Sequence, residues 1–143
     1  MPYKFLEDVA TADIAFNAWG KNLEETFIAS ADATINVMVE ELDSIQPREK
    51  RELKLENEAL DMLLFNFLQE LIYYKDAEKL LLRVNQVEIK GKDQHHILKG
   101  IAVGEKLDPG RHQLRVDVKA VTLHRFLLEK TDHGWKASVI LDI

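Results

Sequence analysis

Between Glu58 and Tyr74 the residues Leu60, Leu63, Leu64, Phe67, Leu68, Leu71 and Tyr74 recur at helical spacing, and Met62, Phe65 and Ile72 widen the band. A narrow apolar stripe needs one neighbour to cover it. A band this broad predicts a central helix gripped by a sheet on one side and by other elements on its flank. A groove for a partner is the alternative, but it leaves that apolar surface in water, so burial is the better account.

A second helix is predicted from Leu23 to Leu42. Leu23, Phe27, Ala31, Ile35, Met38 and Leu42 are spaced by threes and fours, one stripe on a helix of about five turns. Asn22 suits the cap, Glu25 completes a capping-box pattern, and Glu24 and Glu25 favour the positive end of the helix dipole. Strands are predicted at Tyr3 to Glu7, Asp13 to Trp19, Arg48 to Glu56, Leu81 to Lys90 and His95 to Val103. Leu114 to Leu128 reads as one long bent strand or two short ones, and Trp135 to Ile143 as the last. Asn57 is expected to cap the second long helix, with turns at Gly91-Lys92-Asp93, Asp108-Pro109-Gly110 and Thr131 to Gly134. The expected fold is α+β: two long helices on a mainly antiparallel or mixed sheet of roughly seven to nine strands, as a single domain over residues 1–143.

Two acids stand out on these strands. The apolar run Val139-Ile140-Leu141 delivers Asp142, one residue before Ile143, and Thr11-Ala12-Asp13-Ile14 puts an isolated acid in the same setting. A carboxylate at the end of a buried strand, beside further oxygens, is costly without a cation nearby. If the two strands meet, Asp13, Asp142 and the main-chain or terminal oxygens of Ile143 form an oxygen-rich cage. Ca²⁺ takes about six to eight oxygen ligands at ~2.3–2.6 Å, so these residues supply only part of a shell. On spacing alone the plainer account stands ahead: Asp13 forms a turn and Asp142 is a frayed terminal acid.

The remaining chemistry is sparse. His95 and His96 are adjacent and point to opposite faces of a strand, and His112, His124 and His133 are scattered; surface or satisfied polar roles are expected for most. There is no P-loop, dinucleotide fingerprint, Gly-x-Ser-x-Gly or His-Glu-x-x-His motif. Zero cysteines exclude disulfides, thiol catalysis and cysteine-based zinc sites. The net charge of -6 argues against autonomous nucleic-acid binding, which draws on basic surfaces. No apolar run approaches the ~20 residues of a membrane span, and the first residues lack a signal peptide's apolar centre, so the cytoplasm is the expected compartment.

Four blocks in order carry a resemblance: Thr11 to Ile14, Trp-Gly-Lys-x-Leu-Glu-Glu-x-Phe at Trp19 to Phe27, Val-Lys-Ala-Val-Thr at Val118 to Thr122, and Val139 to Ile143. Together they resemble the archease family over essentially the whole chain. The chain departs from that pattern at Asp8-Val9-Ala10, where a His directly before Thr-Ala-Asp is usual, and at Leu123, where an aromatic is common. The resemblance implies metal binding at Asp13, Asp142 and Ile143, with Ca²⁺ favoured over Mn²⁺ or Mg²⁺. It implies a non-catalytic activator of the RtcB-type tRNA-splicing RNA ligase, promoting ligase guanylylation by GTP and multiple turnover, with tRNA met only through the ligase. The alternative is a chaperone-like or metal-binding interaction module. For Lys119, a contact to the partner or its nucleotide and a solvated strand lysine stand side by side.

Overall fold

A computed structural model of the chain describes residues 2–6, 13–92 and 94–143. The order is β1 (Tyr3–Leu6), β2 (Asp13–Gly20), α1 (Leu23–Met38), a 3-10 turn at Leu42–Ser44, β3 (Glu49–Asn57), α2 (Leu60–Glu78), β4 (Leu80–Lys92), β5 (His95–Lys106), β6 (Ala120–Thr131) and β7 (Gly134–Asp142). The expected α+β domain is present, but its strands form two sheets rather than one. One has the order β1-β2-β7-β6, the other β3-β5-β4, and every pairing is antiparallel. Both helices touch strands of both sheets.

The more enclosed helix is α1, not α2 as the width of the apolar band suggests. From Thr26 to Met38 nearly every α1 residue is buried, including Ser30 and Thr34. Two features allow this. Ala29, Ala31 and Ala33 let neighbouring strands approach closely, and the hydroxyls are satisfied within the helix. Thr26 donates to the Asn22 carbonyl at 3.0 Å, Ser30 to Thr26 at 2.8 Å and Thr34 to Ser30 at 2.9 Å. The start is capped as expected: Asn22 Oδ1 accepts from the Glu25 N–H at 2.9 Å, while Glu25 reaches back to the Lys21 N–H at 3.3 Å. The helix stops at Met38, so Leu42 falls in the 3-10 turn.

Helix α2 begins two residues later than expected and runs on through Asp76-Ala77-Glu78, ending where Lys79 turns left-handed at φ 55°. Asn57 is not its cap but the last residue of β3, with Oδ1 accepting from the Ala59 N–H at 3.0 Å. Leu63, Leu64, Phe67, Leu68, Leu71 and Ile72 are buried, and Phe67 meets Phe27 of α1 with ring centroids 5.6 Å apart. Gly91 and Gly104 lie within strands, so β4 and β5 are longer than predicted. The expected long strand from Leu114 begins only at Ala120. The stretch 114–119 is a strap along the end of α1, with a single bridge between Leu114 and Val39. β6 then departs from its ladder with β7 between Thr122 and Leu127. Leu123 is 59% exposed there, so it contributes little to packing. Residues 7–12, which include Glu7 of the first predicted strand and Asp8-Val9-Ala10, and Asp93 of the predicted hairpin lie outside the described residues.

Candidate functional site

β2 and β7 pair along their whole length, and the register sets Asp13 directly opposite Asp142. Opposite residues in an antiparallel pair share a face, their Cβ atoms about 4.5–5.5 Å apart. Phe16 and Val139, and Ala18 and Ala137, face the core, so Asn17 and Ser138 and the aspartate pair face outward. Ser138 donates to Asn17 Oδ1 at 2.9 Å on that face. Both aspartates are half-buried, as is Ile143, which packs against the core edge.

The fourth predicted residue, Lys119, joins them through its backbone. The Lys119 N–H donates to the Asp142 carbonyl at 2.8 Å, and Ala120 is the β6 partner of Asp142. The Lys119 side chain is exposed, while Val118 before it is fully buried. One end of the four-stranded sheet therefore presents two carboxylates, the Ile143 main-chain oxygens and a lysine. The carboxylate and main-chain ligands are all oxygen, the donor type that suits hard cations such as Ca²⁺, Mg²⁺ and Mn²⁺ rather than softer metals that favour Cys or His. The Thr122 hydroxyl, one row along the same face, is buried with no hydrogen-bond partner among the described residues. No group of three or more His, Cys, Asp or Glu able to hold a metal occurs among the described residues.

The histidines do not gather here. His95 pairs with Glu56 at 3.0 Å on the surface, and His124 and His133 are exposed. His112 is buried in a cluster that sequence reasoning missed. Its Nδ1 accepts from the Asp108 N–H at 2.9 Å, which leaves the ring proton on Nε2 to be donated to Glu105 at 2.9 Å. Glu105 also accepts from the Gln46 N–H at 2.7 Å and from Arg111, and pairs with Arg48 at 3.2 Å. Burial alone pushes the Glu105 carboxyl up; the Gln46 N–H, His112 and Arg111 outweigh it and hold it at about 2. This cluster ties the loop after β5 to the start of β3. The turn at Asp108-Pro109-Gly110 just before His112 was the available signal.

The sequence of residues 3–143 matches the model of the archease protein family (MTH1598/TM1083). The chain belongs to the archease family. Among archease relatives, the protein archease of Pyrococcus abyssi is 41% identical over 134 residues, 93% of this chain and 94% of the relative. That of Methanosarcina mazei is 37% identical over 142 residues, 99% of this chain and 95% of the relative. Protein 1598 of Methanobacterium thermoautotrophicum superposes with a TM-score of 0.85 at 36% identity, covering 99% of both chains. A Thermotoga maritima protein described as an archease and possible chaperone shares the fold at a TM-score of 0.55 and 18% identity, covering 98% of each. No helix among the described residues is long and apolar enough to cross a membrane.

Proposed function

We propose that this archease-family chain is a non-catalytic, cytoplasmic activator of an RtcB-type tRNA-splicing RNA ligase. It promotes guanylylation of the ligase by GTP and so restores multiple turnover. The carrying observation is the register that sets Asp13 against Asp142 on the outer face of the β2–β7 pair, beside Lys119.

Asp13, Asp142 and the Ile143 main-chain oxygens would hold a divalent cation, with Ca²⁺ favoured and Mn²⁺ or Mg²⁺ as alternatives. Such a cation supplies positive charge against the phosphates of a bound nucleotide. The open shell leaves positions for oxygens from the partner. The half-buried aspartates are held by backbone pairing on both sides of β7, so they are oriented before the partner arrives. The exposed Lys119 side chain would offer a cation to a phosphate or a ligase carboxylate. RNA is engaged only through the ligase, in keeping with the net charge of -6.

The test is multiple-turnover RNA ligation with limiting ligase, GTP and divalent cation. Substoichiometric wild-type protein is expected to give many turnovers. Asp13→Ala and Asp142→Ala are expected to lose activation by at least tenfold while keeping a wild-type circular dichroism spectrum. Normal activation by both variants would refute the assignment of the site. No effect of the wild-type protein at any ratio would refute the ligase partner.

A further inference from the structure

Helix α2 holds the segment entering β6 at two points. Lys75 lies on the buried face of α2 with its side chain 5% exposed, and its ammonium donates to Asp117 Oδ1 at 2.6 Å, to the Val118 carbonyl at 2.9 Å and to Asp76. Six residues earlier on the same helix, Gln69 Oε1 accepts from the Val121 N–H at 2.6 Å. Six residues of α-helix rise about 9 Å, and three residues of extended chain span about 10 Å. The two anchors therefore match the stretch from Val118 to Val121. Between them lies Lys119, whose N–H holds the Asp142 carbonyl at 2.8 Å.

The same segment is also held by the fully buried Val118 side chain and, from Ala120 on, by the β6–β7 ladder. Residues 114–119 form no strand, and upstream they are held by the Leu114 bridge and by the Arg115 and Val116 N–H groups on Met38 and Val37. The lysine is also poorly explained as a stabilising ion pair. Its carboxylate partners are 57% and 66% exposed and would be solvated without it, whereas burying an ammonium is costly. Burial pulls the Lys75 pKa down, but Asp117 and Asp76 outweigh it and raise it, so the side chain stays charged.

We propose that Lys75 and Gln69 are positioning residues that clamp the 118–121 backbone, and thereby fix Lys119 and the Asp142 main chain at the Asp13/Asp142 end. This rests on the reading of that end as the working site. The test is Lys75→Met, which keeps an unbranched apolar stem and strands no buried charge. Amide hydrogen exchange at Lys119 and Val121 is expected to speed up by at least tenfold, with the amides of β2 and β3 unchanged. Mn²⁺ affinity, measured by calorimetry on the protein alone, is expected to fall by about tenfold, as for other residues that orient metal ligands. Ligase activation is expected to fall with it. Because the chain has no cysteine, Lys75→Cys can be alkylated with bromoethylamine in denaturant and refolded, which restores an ammonium at the same reach. Recovery of protection, Mn²⁺ affinity and activation together would support the clamp. Unchanged protection at Lys119 in Lys75→Met would overturn it, even where Asp13→Ala is inactive. Lost protection with unchanged Mn²⁺ affinity and activation would reduce Lys75 to a structural role and also overturn it. Normal activation by Asp13→Ala would sink the functional reading itself, and the positioning role with it.

Discussion

If Asp13 and Asp142 form a cation site, the cation-free protein must carry a repulsion between them that a double-mutant cycle can measure. The pair is directly opposite in the β2–β7 register and half-buried. Side chains one carbon beyond Cβ in that arrangement place the carboxylates about 6 Å apart. Coulomb's law at an effective dielectric of about 40–80 gives ~0.7–1.4 kcal/mol. Screening at 20 mM salt, where the Debye length is about 20 Å, leaves about 0.5–1 kcal/mol. Asp13→Asn and Asp142→Asn should therefore be coupled: each loses most of its stabilising effect when the other is present. The cycle removes whatever Lys119 contributes to either aspartate alone. In 1 M salt, where the Debye length is ~3 Å, the coupling should fall below ~0.3 kcal/mol. Urea denaturation at both salt concentrations, in chelator, provides the measurement. Saturating Ca²⁺ or Mn²⁺ should reverse the ranking, since a ligand bound to the native state stabilises wild type and not the variants. A coupling of zero or of attractive sign without cation would refute the reasoning, because the carboxylates would not then share one space.

Two further outcomes are expected away from the site. Glu105 is held at about 2 against an ordinary 4.5, so its contribution is fully present above pH 4.5 and is lost as the pH falls towards 2. The difference corresponds to about 3 kcal/mol, and Glu105→Gln should remove that part of the acid unfolding slope in denaturation curves taken from pH 7 to pH 2.5. Asn22→Ala removes the side-chain acceptor of the Glu25 N–H at the start of α1; a loss of about 1 kcal/mol in urea denaturation is expected, with ligase activation unchanged.

Much of this protein can be read in one dimension because its signals are local. The cap at Asn22, the helical periodicity of Leu60 to Tyr74, and the alternation in β2 and β7 depend on residues a few positions apart. Those patterns determine the two helices, most strands and the α+β class. The aspartate pair was not legible in this way: on the residues alone a turn former and a frayed terminal acid stood ahead, and it is the β2–β7 register that sets Asp13 and Asp142 face to face.

What the tertiary structure alone decided concerns which surfaces meet. Antiparallel strands in one sheet or in two present the same alternation, so the split into β1-β2-β7-β6 and β3-β5-β4 leaves no local mark. The enclosure of α1 depends on strands arriving from both sides, which its alanines permit but do not announce. The segment 114–119 alternates like a strand, yet the Arg115 and Val116 N–H groups go to the end of α1 and only Lys119 reaches the tip of β7, so it remains a strap. Lys75 falls in register with Leu68, Leu71 and Ile72 on the buried face of α2. A long amphipathic side chain at such a position can equally bend out to water. Only the arrival of Asp117 and the Val118 carbonyl, 42 and 43 residues along the chain, gives its charge a reason to stay inside.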